Sequence, residues 1–163
     1  MPKVLISDKL SKKAEEIFRK NGIEVTINTA LSPEELSDII NEYDGLAIRS
    51  NTKVTPEIIK HAKNLKVIGR AGIGVDNVDI EAATANGTIV MNTPFGNSIT
   101  TAEHTIALMM ALARNIPIAN TSTHLGKWEK SKHTGTELYS KILGMIGCGN
   151  IGSIVADRAK GLK

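Results

Sequence analysis

Short apolar runs alternate with amphipathic helical stretches throughout the first 92 residues, and this alternation restricts the fold more than any other feature of the chain. VLIS (4–7), IEVTI (23–27), GLAIRS (45–50), LKVIGR (65–70) and TIVMN (88–92) each read as a short buried strand. The helix predicted over 11–20 turns Ala14, Ile17 and Phe18 to one face and stops at Gly22, which suits a left-handed cap. Ser32, Pro33 and Glu35 form a capping box for a helix with Leu36, Ile39 and Ile40 inward. Thr55-Pro56-Glu57 opens a third helix carrying Ile58, Ile59 and Ala62, and a short helix near 79–86 ends at Asn86-Gly87. Strands separated in this way by helices specify an α/β fold with a parallel, doubly wound sheet.

NTPFGNS (92–98) is rich in turn formers and reads as a boundary. A long helix is predicted from Thr100 to about Asn115, started by a Thr100/Glu103 capping box. Its apolar residues from Ile106 to Ala113 spread round the whole cylinder, which predicts burial against a large surface. Pro117 opens a further helix or turn, the stretch 121–137 is polar, and ILGMI (142–146) reads as another strand.

Immediately after that strand stands Gly147-Cys148-Gly149-Asn150-Ile151-Gly152. With an apolar run before it and helically spaced Ile154, Val155 and Ala159 after it, the pattern has the context of a dinucleotide-binding turn. The first glycine allows the turn, the second admits a pyrophosphate to the backbone, and the third lets helix pack on strand. The helix start then offers free N–H groups to phosphate. The expected architecture is a flavodoxin-like parallel-sheet substrate domain over 1–97, followed over 98–163 by the start of a Rossmann nucleotide-binding domain.

Two further segments, RSNTK (49–53) and RAGIGVDN (70–77), each begin with an arginine at the carboxyl end of a predicted parallel strand, where open α/β sheets place ligands. Arg49 and Arg70 are suited to clamp a carboxylate or phosphate with paired hydrogen bonds. Ser50 adds a hydroxyl donor, and Gly72 and Gly74 allow backbone N–H groups to turn inward as an anion nest. The plainer alternative is a pair of solvated loop arginines, with Asp76 and Asn77 capping the next helix.

Composition narrows the remaining classes. Aromatics make up 3% of the 163 residues, too few for a base-stacking platform, and the net charge of +3 comes from lysines scattered among glutamates. No nucleic-acid role is expected. Cys148 is the only cysteine, which fits a reducing cytosol, and MPKVLISDKL lacks the apolar core of a signal peptide. The most apolar stretch, IALMMALA (106–113), is far short of the ~20 residues that span a bilayer. A cytoplasmic protein without membrane partners is expected. His61, His104, His124 and His133 show no metal-ligand spacing, none has an obvious orienting carboxylate, and Trp128 reads as an anchoring side chain.

The run from Ala47 to Arg114, then GKWEK (126–130) and GCGNIG, resembles the D-isomer-specific 2-hydroxyacid dehydrogenases, most nearly the members that oxidise 3-phosphoglycerate. The resemblance covers the whole chain. It implies a hydride transferred between NAD and C2 of a small anionic substrate of the 3-phosphoglycerate type, in a homo-oligomer. It places the substrate-holding loops on Arg49, Ser50, Arg70, Gly72, Gly74 and Asn97. It places Ile73 near the cofactor and puts Gly147, Gly149, Asn150, Ile151 and Gly152 around the pyrophosphate. His133-Thr134-Gly135 stands where that family has an aromatic-Met-Gly stretch. The family's catalytic Arg, Glu and His, and its ribose-binding acid, fall beyond the position matched by Lys163, so no catalytic residue is assigned and the 163-residue chain is expected to be inactive by itself. A stand-alone anion-binding module and a non-catalytic relative such as the dehydrogenase-like corepressors are the other readings open at this point.

Overall fold

Five parallel strands meet edge to edge in the order β2-β1-β3-β4-β5 in the computed structural model, which describes residues 1–162. They are β1 (Lys3–Ile6), β2 (Glu24–Ile27), β3 (Gly45–Ile48), β4 (Val67–Arg70) and β5 (Ile89–Asn92). The connections are α1 (Lys12–Lys20), α2 (Pro33–Ile39), α3 (Pro56–His61) and α4 (Ile80–Ala85), with a 3-10 turn at Ile40–Glu42 following α2. This is the flavodoxin-type strand order, in which the carboxyl ends of the strands form one rim. The chain separates into two compact units, Met1–Gly96 and the residues from Asn97 onward.

Alternation along the strands sorts the core of the first unit onto two faces. Leu5, Leu46, Ile48 and Ile68 pack on one face with Leu36, Ile40, Ile58, Ile59 and Ala62 from the α2–α3 region and Ala83 of α4. Val4, Ile6, Val25 and Ala47 point the other way, against Phe18 of α1 and the flanking Leu10 and Ile23. β3 is buried along its whole length, as expected of a central parallel strand. Ile17 is the exception to the helix face read from the sequence: it is half exposed, because Ala14 and Phe18 alone face the sheet side.

Local signals act as anticipated at several joints. Ser32 Oγ accepts the Glu35 N–H at 3.2 Å while Glu35 Oε2 accepts the Ser32 N–H at 2.8 Å, completing the capping box of α2. Gly22 takes a φ of +72° just after α1. At the amino ends of three strands one side chain closes the sheet. Asp44 Oδ2 accepts the Lys3 N–H at 2.9 Å and its Oδ1 accepts the Lys66 ammonium at 2.7 Å, while the backbones of Lys3, Asp44 and Lys66 bond one another.

In the second unit, α5 (Ser98–Ala113) and α7 (Asn150–Lys160) pack on each other, and α6 (Ile116–His124) follows α5. Several expectations fail here for one reason. Residues 142–146 form no strand, and Ile142 and Ile146 are fully exposed at 99% and 107%. A strand exists only through bonds to a neighbouring strand, and none lies beside this segment among the described residues. The apolar cylinder of α5 is likewise largely uncovered: Leu108 and Leu112 are exposed, and only Ser98 and Ala102 are buried. The predicted Thr100/Glu103 box is not made, because α5 starts earlier, at Ser98, with Asn97 in the cap position. Trp128 is exposed rather than anchoring. The loop after α6 is nevertheless tied down, since Gly135 passes so close to Ala113 O that a side chain there would overlap it, and Thr136 N–H bonds that oxygen at 2.7 Å.

The Asp44 staple has a testable sign. The Lys66 ammonium, then the Lys3 N–H, hold the Asp44 carboxyl below its ordinary value of 3.8. A depressed folded-state value contributes stability in full above the unfolded value and loses it as pH falls through the folded one. Asp44→Asn is therefore expected to destabilise the protein at neutral pH and to unfold indistinguishably from the unmodified chain by pH ~2, read by denaturant melts across pH. A difference that persists undiminished at that pH would contradict the pairing.

Candidate functional site

The carboxyl rim of the sheet gathers three loops of the first unit. Strand β1 runs out into Ser7 and Asp8, β3 into Arg49–Thr52, and β4 into Ala71–Val78. Asp8 is almost fully buried, at 3% exposure, and its Oδ2 accepts two backbone donors, Arg49 N–H at 2.6 Å and Thr52 N–H at 3.2 Å. Ser7 and Thr52 join by their hydroxyls at 2.9 Å. A buried carboxylate is costly unless its lone pairs are engaged, and these loop amides engage them.

Asn77 closes the arrangement from the other side. Its Nδ2 donates to Arg49 O at 2.7 Å and to Thr52 O at 2.6 Å, and its Oδ1 accepts Arg70 Nε at 2.7 Å. A backbone pairing of Val54 with Val78 extends the contact between the two loops. The suggested capping role for Asn77 is thus filled by another residue: Asp79 Oδ1 accepts Ala82 N–H at 2.8 Å at the start of α4.

The two arginines differ in their freedom. Arg70 is 11% exposed in its side chain and is held by Asn77, by Gly74 O at 2.6 Å, and by a long ion pair with Asp76 at 3.9 Å. Arg49 is held through its backbone, and the residue is exposed, as is Ser50 beside it. Gly72 and Gly74 do not take left-handed backbone conformations, and the Gly72 N–H bonds Arg70 O at 2.9 Å. The inward-turned N–H pair expected of them is not what they supply here; a side chain at Gly72 would overlap the Arg70 guanidinium, so the glycine makes room for it. The carbonyls of Gly72 and Ile73 are bound in turn by Thr93 and Asn92, at the end of β5.

In the second unit the glycine fingerprint folds as a turn leading into α7. Gly147 takes φ +87°, and a Cβ on Gly152 would lie 2.5 Å from Gly147 O, so both positions require glycine. Gly149 holds the cap position of α7, and no side chain caps the helix. The first-turn N–H groups at Asn150 and Ile151 and the positive end of the helix are therefore free to meet an anion, which fits the diphosphate portion of a dinucleotide. Asn97 stands at the cap of α5 in this unit, and Ile73 belongs to the first unit, in the loop after β4.

No histidine is arranged as a general acid or base. His61 Nδ1 meets Ser37 Oγ at 2.8 Å and Glu57 O at 3.0 Å, and His124 Nδ1 meets Asn120 O at 3.0 Å. His133 has both ring nitrogens buried without a hydrogen-bond partner, in the position where the resemblance expects an aromatic ring. Among the described residues no group of His, Cys, Asp and Glu is placed to hold a metal. Asp8, Thr52 and Asn77 are the site-forming residues that sequence reasoning did not find. Asp8 did carry one signal, a polar residue directly past a strand that ends at the rim.

Known proteins resemble this chain along most of its length. Residues 4–158 match the family model described as D-isomer specific 2-hydroxyacid dehydrogenase, catalytic domain. The chain is 52% identical over 161 residues to the D-3-phosphoglycerate dehydrogenase of Archaeoglobus fulgidus, covering 99% of this chain and 31% of that one. It is 51% identical over 156 residues to the human protein of the same name, covering 96% of this chain and 29% of that one. The chain thus spans about 30% of the length of the curated relatives it matches. Among solved structures, 3-phosphoglycerate dehydrogenase of Entamoeba histolytica with bound NAD+ superposes with a TM-score of 0.78 at 33% identity, over 99% of this chain and 51% of that one. An NAD-dependent formate dehydrogenase from Staphylococcus aureus in complex with NAD gives 0.86 at 28% identity, over 99% and 53% of the two chains. The chain belongs to the D-isomer-specific 2-hydroxyacid dehydrogenase family.

Proposed function

We propose that this chain is the N-terminal portion of a cytoplasmic, homo-oligomeric D-3-phosphoglycerate dehydrogenase of serine biosynthesis, and that its first unit holds the substrate anion. The reaction of the whole protein is the oxidation of 3-phospho-D-glycerate to 3-phosphohydroxypyruvate. NAD, when bound, accepts the hydride from C2, and the hydroxyl proton leaves to a base. The observation that carries the reading is the pair of arginine loops tied together at the carboxyl rim of a parallel sheet. There an exposed Arg49, with Ser50 beside it, presents a charge fit for a carboxylate or phosphate, and Arg70 with Gly72 and Gly74 builds the adjoining wall. Gly147, Gly149, Asn150, Ile151 and Gly152 in the second unit cradle the cofactor's diphosphate.

A second reading has one observation in its favour. The first unit forms a five-stranded sheet and carries its own core, so it is able to act as an anion-binding module without a cofactor. Both readings place the anion on the same residues and differ only in the chemistry that follows.

Calorimetric titration with 3-phosphoglycerate is expected to show saturable binding that weakens at least about tenfold in Arg49→Ala, the loss of roughly one charge-assisted contact. Unchanged affinity in that variant would contradict the site. Hydride transfer needs a positioned base within hydrogen-bond reach of the substrate hydroxyl, and the family's catalytic Arg, Glu and His match no residue of this sequence. Incubating the 163-residue chain with NAD and 3-phosphoglycerate is therefore expected to give no NADH absorbance. Turnover above a protein-free control would overturn that.

A further inference from the structure

Arg49 opens the loop that joins β3 to α3, and its usefulness as an anion contact depends on how firmly that loop is held. A long, flexible arginine gains little from a ligand if its backbone must be ordered at the moment of binding, because the ordering cost is subtracted from the contact. Here the loop is held from two sides, by Asp8 at its amides and by Asn77 at its carbonyls.

Among the described residues Asn77 is the side chain that bonds both arginines. Its amide NH₂ binds the carbonyls of Arg49 and Thr52, and its amide oxygen binds Arg70 Nε. The amide is thus read in both senses at once, donor toward one loop and acceptor toward the other. No other side chain of that size supplies two donors and an acceptor together. A carboxylate of the same shape would keep the Arg70 bond and set its oxygens against two carbonyls, and a small apolar residue would lose all three bonds.

We infer that Asn77 is a positioning residue of the anion site, tying the Arg49 loop to the firmly held Arg70 so that the exposed Arg49 guanidinium is presented to the ligand. The inference rests on the anion-site reading given above. Asn77 does not itself touch the anion; it acts through Arg49.

The isosteric variant Asn77→Asp separates this role from general stability. Titration with 3-phosphoglycerate is expected to show about tenfold weaker binding in Asn77→Asp than in the unmodified chain. In an Arg49→Ala background the same change is expected to have almost no further effect, because a residue that acts through Arg49 has nothing left to position. A merely structural role would instead subtract equally in both backgrounds. Native-like melting of Asn77→Asp, with faster amide exchange at Arg49 and Thr52, would support the inference further. Unmodified affinity in Asn77→Asp, or an equal loss in both backgrounds, overturns it while leaving the anion site standing. Failure of the unmodified chain to bind 3-phosphoglycerate at all overturns both.

Discussion

A parallel strand can satisfy its backbone only through neighbours, and each neighbour must be reached by a crossover that returns the chain to the same end of the sheet. That single constraint organises the first unit. Because every strand runs the same way, every crossover leaves from one rim, and the loops that leave there are brought together whatever their separation in sequence. Ser7 and Asp8 meet Thr52 across 44 to 45 positions of chain, and Arg49 meets Asn77 across 28. Apolar packing beneath the rim supplies the rigidity: Leu5, Ile48 and Ile68 on the strands are fully buried and leave the strand ends no freedom to splay. Polar chemistry is thereby concentrated on a surface whose position is set by apolar packing.

The same constraint explains what happens in the second unit. Residues 142–146 have the composition of a buried strand but no strand beside them among the described residues, and their isoleucines are exposed. The helix α5 carries apolar groups round its whole circumference and leaves Ile99, Leu108 and Leu112 exposed to solvent. The turn at Gly147 and Gly152, by contrast, needs only local backbone geometry and close helix–turn contact, and it is fully formed. The turn is decided within a few residues, whereas a strand at 142–146 needs a partner strand.

Legibility in the sequence follows the same division. The strands of the first unit, the Ser32 capping box, the Gly22 cap and the proline-started helices were all visible as local patterns, because each is decided within a few residues. The burial of α5 was misread, since an all-round apolar pattern states that a cover is needed without stating what supplies it. Spacing alone places Ile17 inward, whereas Phe18 is the α1 residue packed on the β1 and β2 core and Ile17 is half exposed. Arg49 and Arg70 were found because each terminates a strand. Asp8 and Asn77 were not, or were assigned to capping, because a single Asp or Asn near a turn looks the same whether it binds its own backbone or a loop far away. The glycines at 72 and 74 were taken for an anion nest when one of them in fact makes room for Arg70.

The account turns on one claim: an anionic substrate is held at the carboxyl rim of the first unit by the tied loops of β3 and β4. Backbone amide NMR during titration with 3-phosphoglycerate tests this directly, because each residue reports separately. The expected result is saturable shifts concentrated at Arg49–Thr52 and Arg70–Asn77, with the amides of β2 and α1 unmoved. Shifts confined to Gly147–Gly152, or spread evenly over the lysine-bearing helices, would place the anion elsewhere and contradict the account.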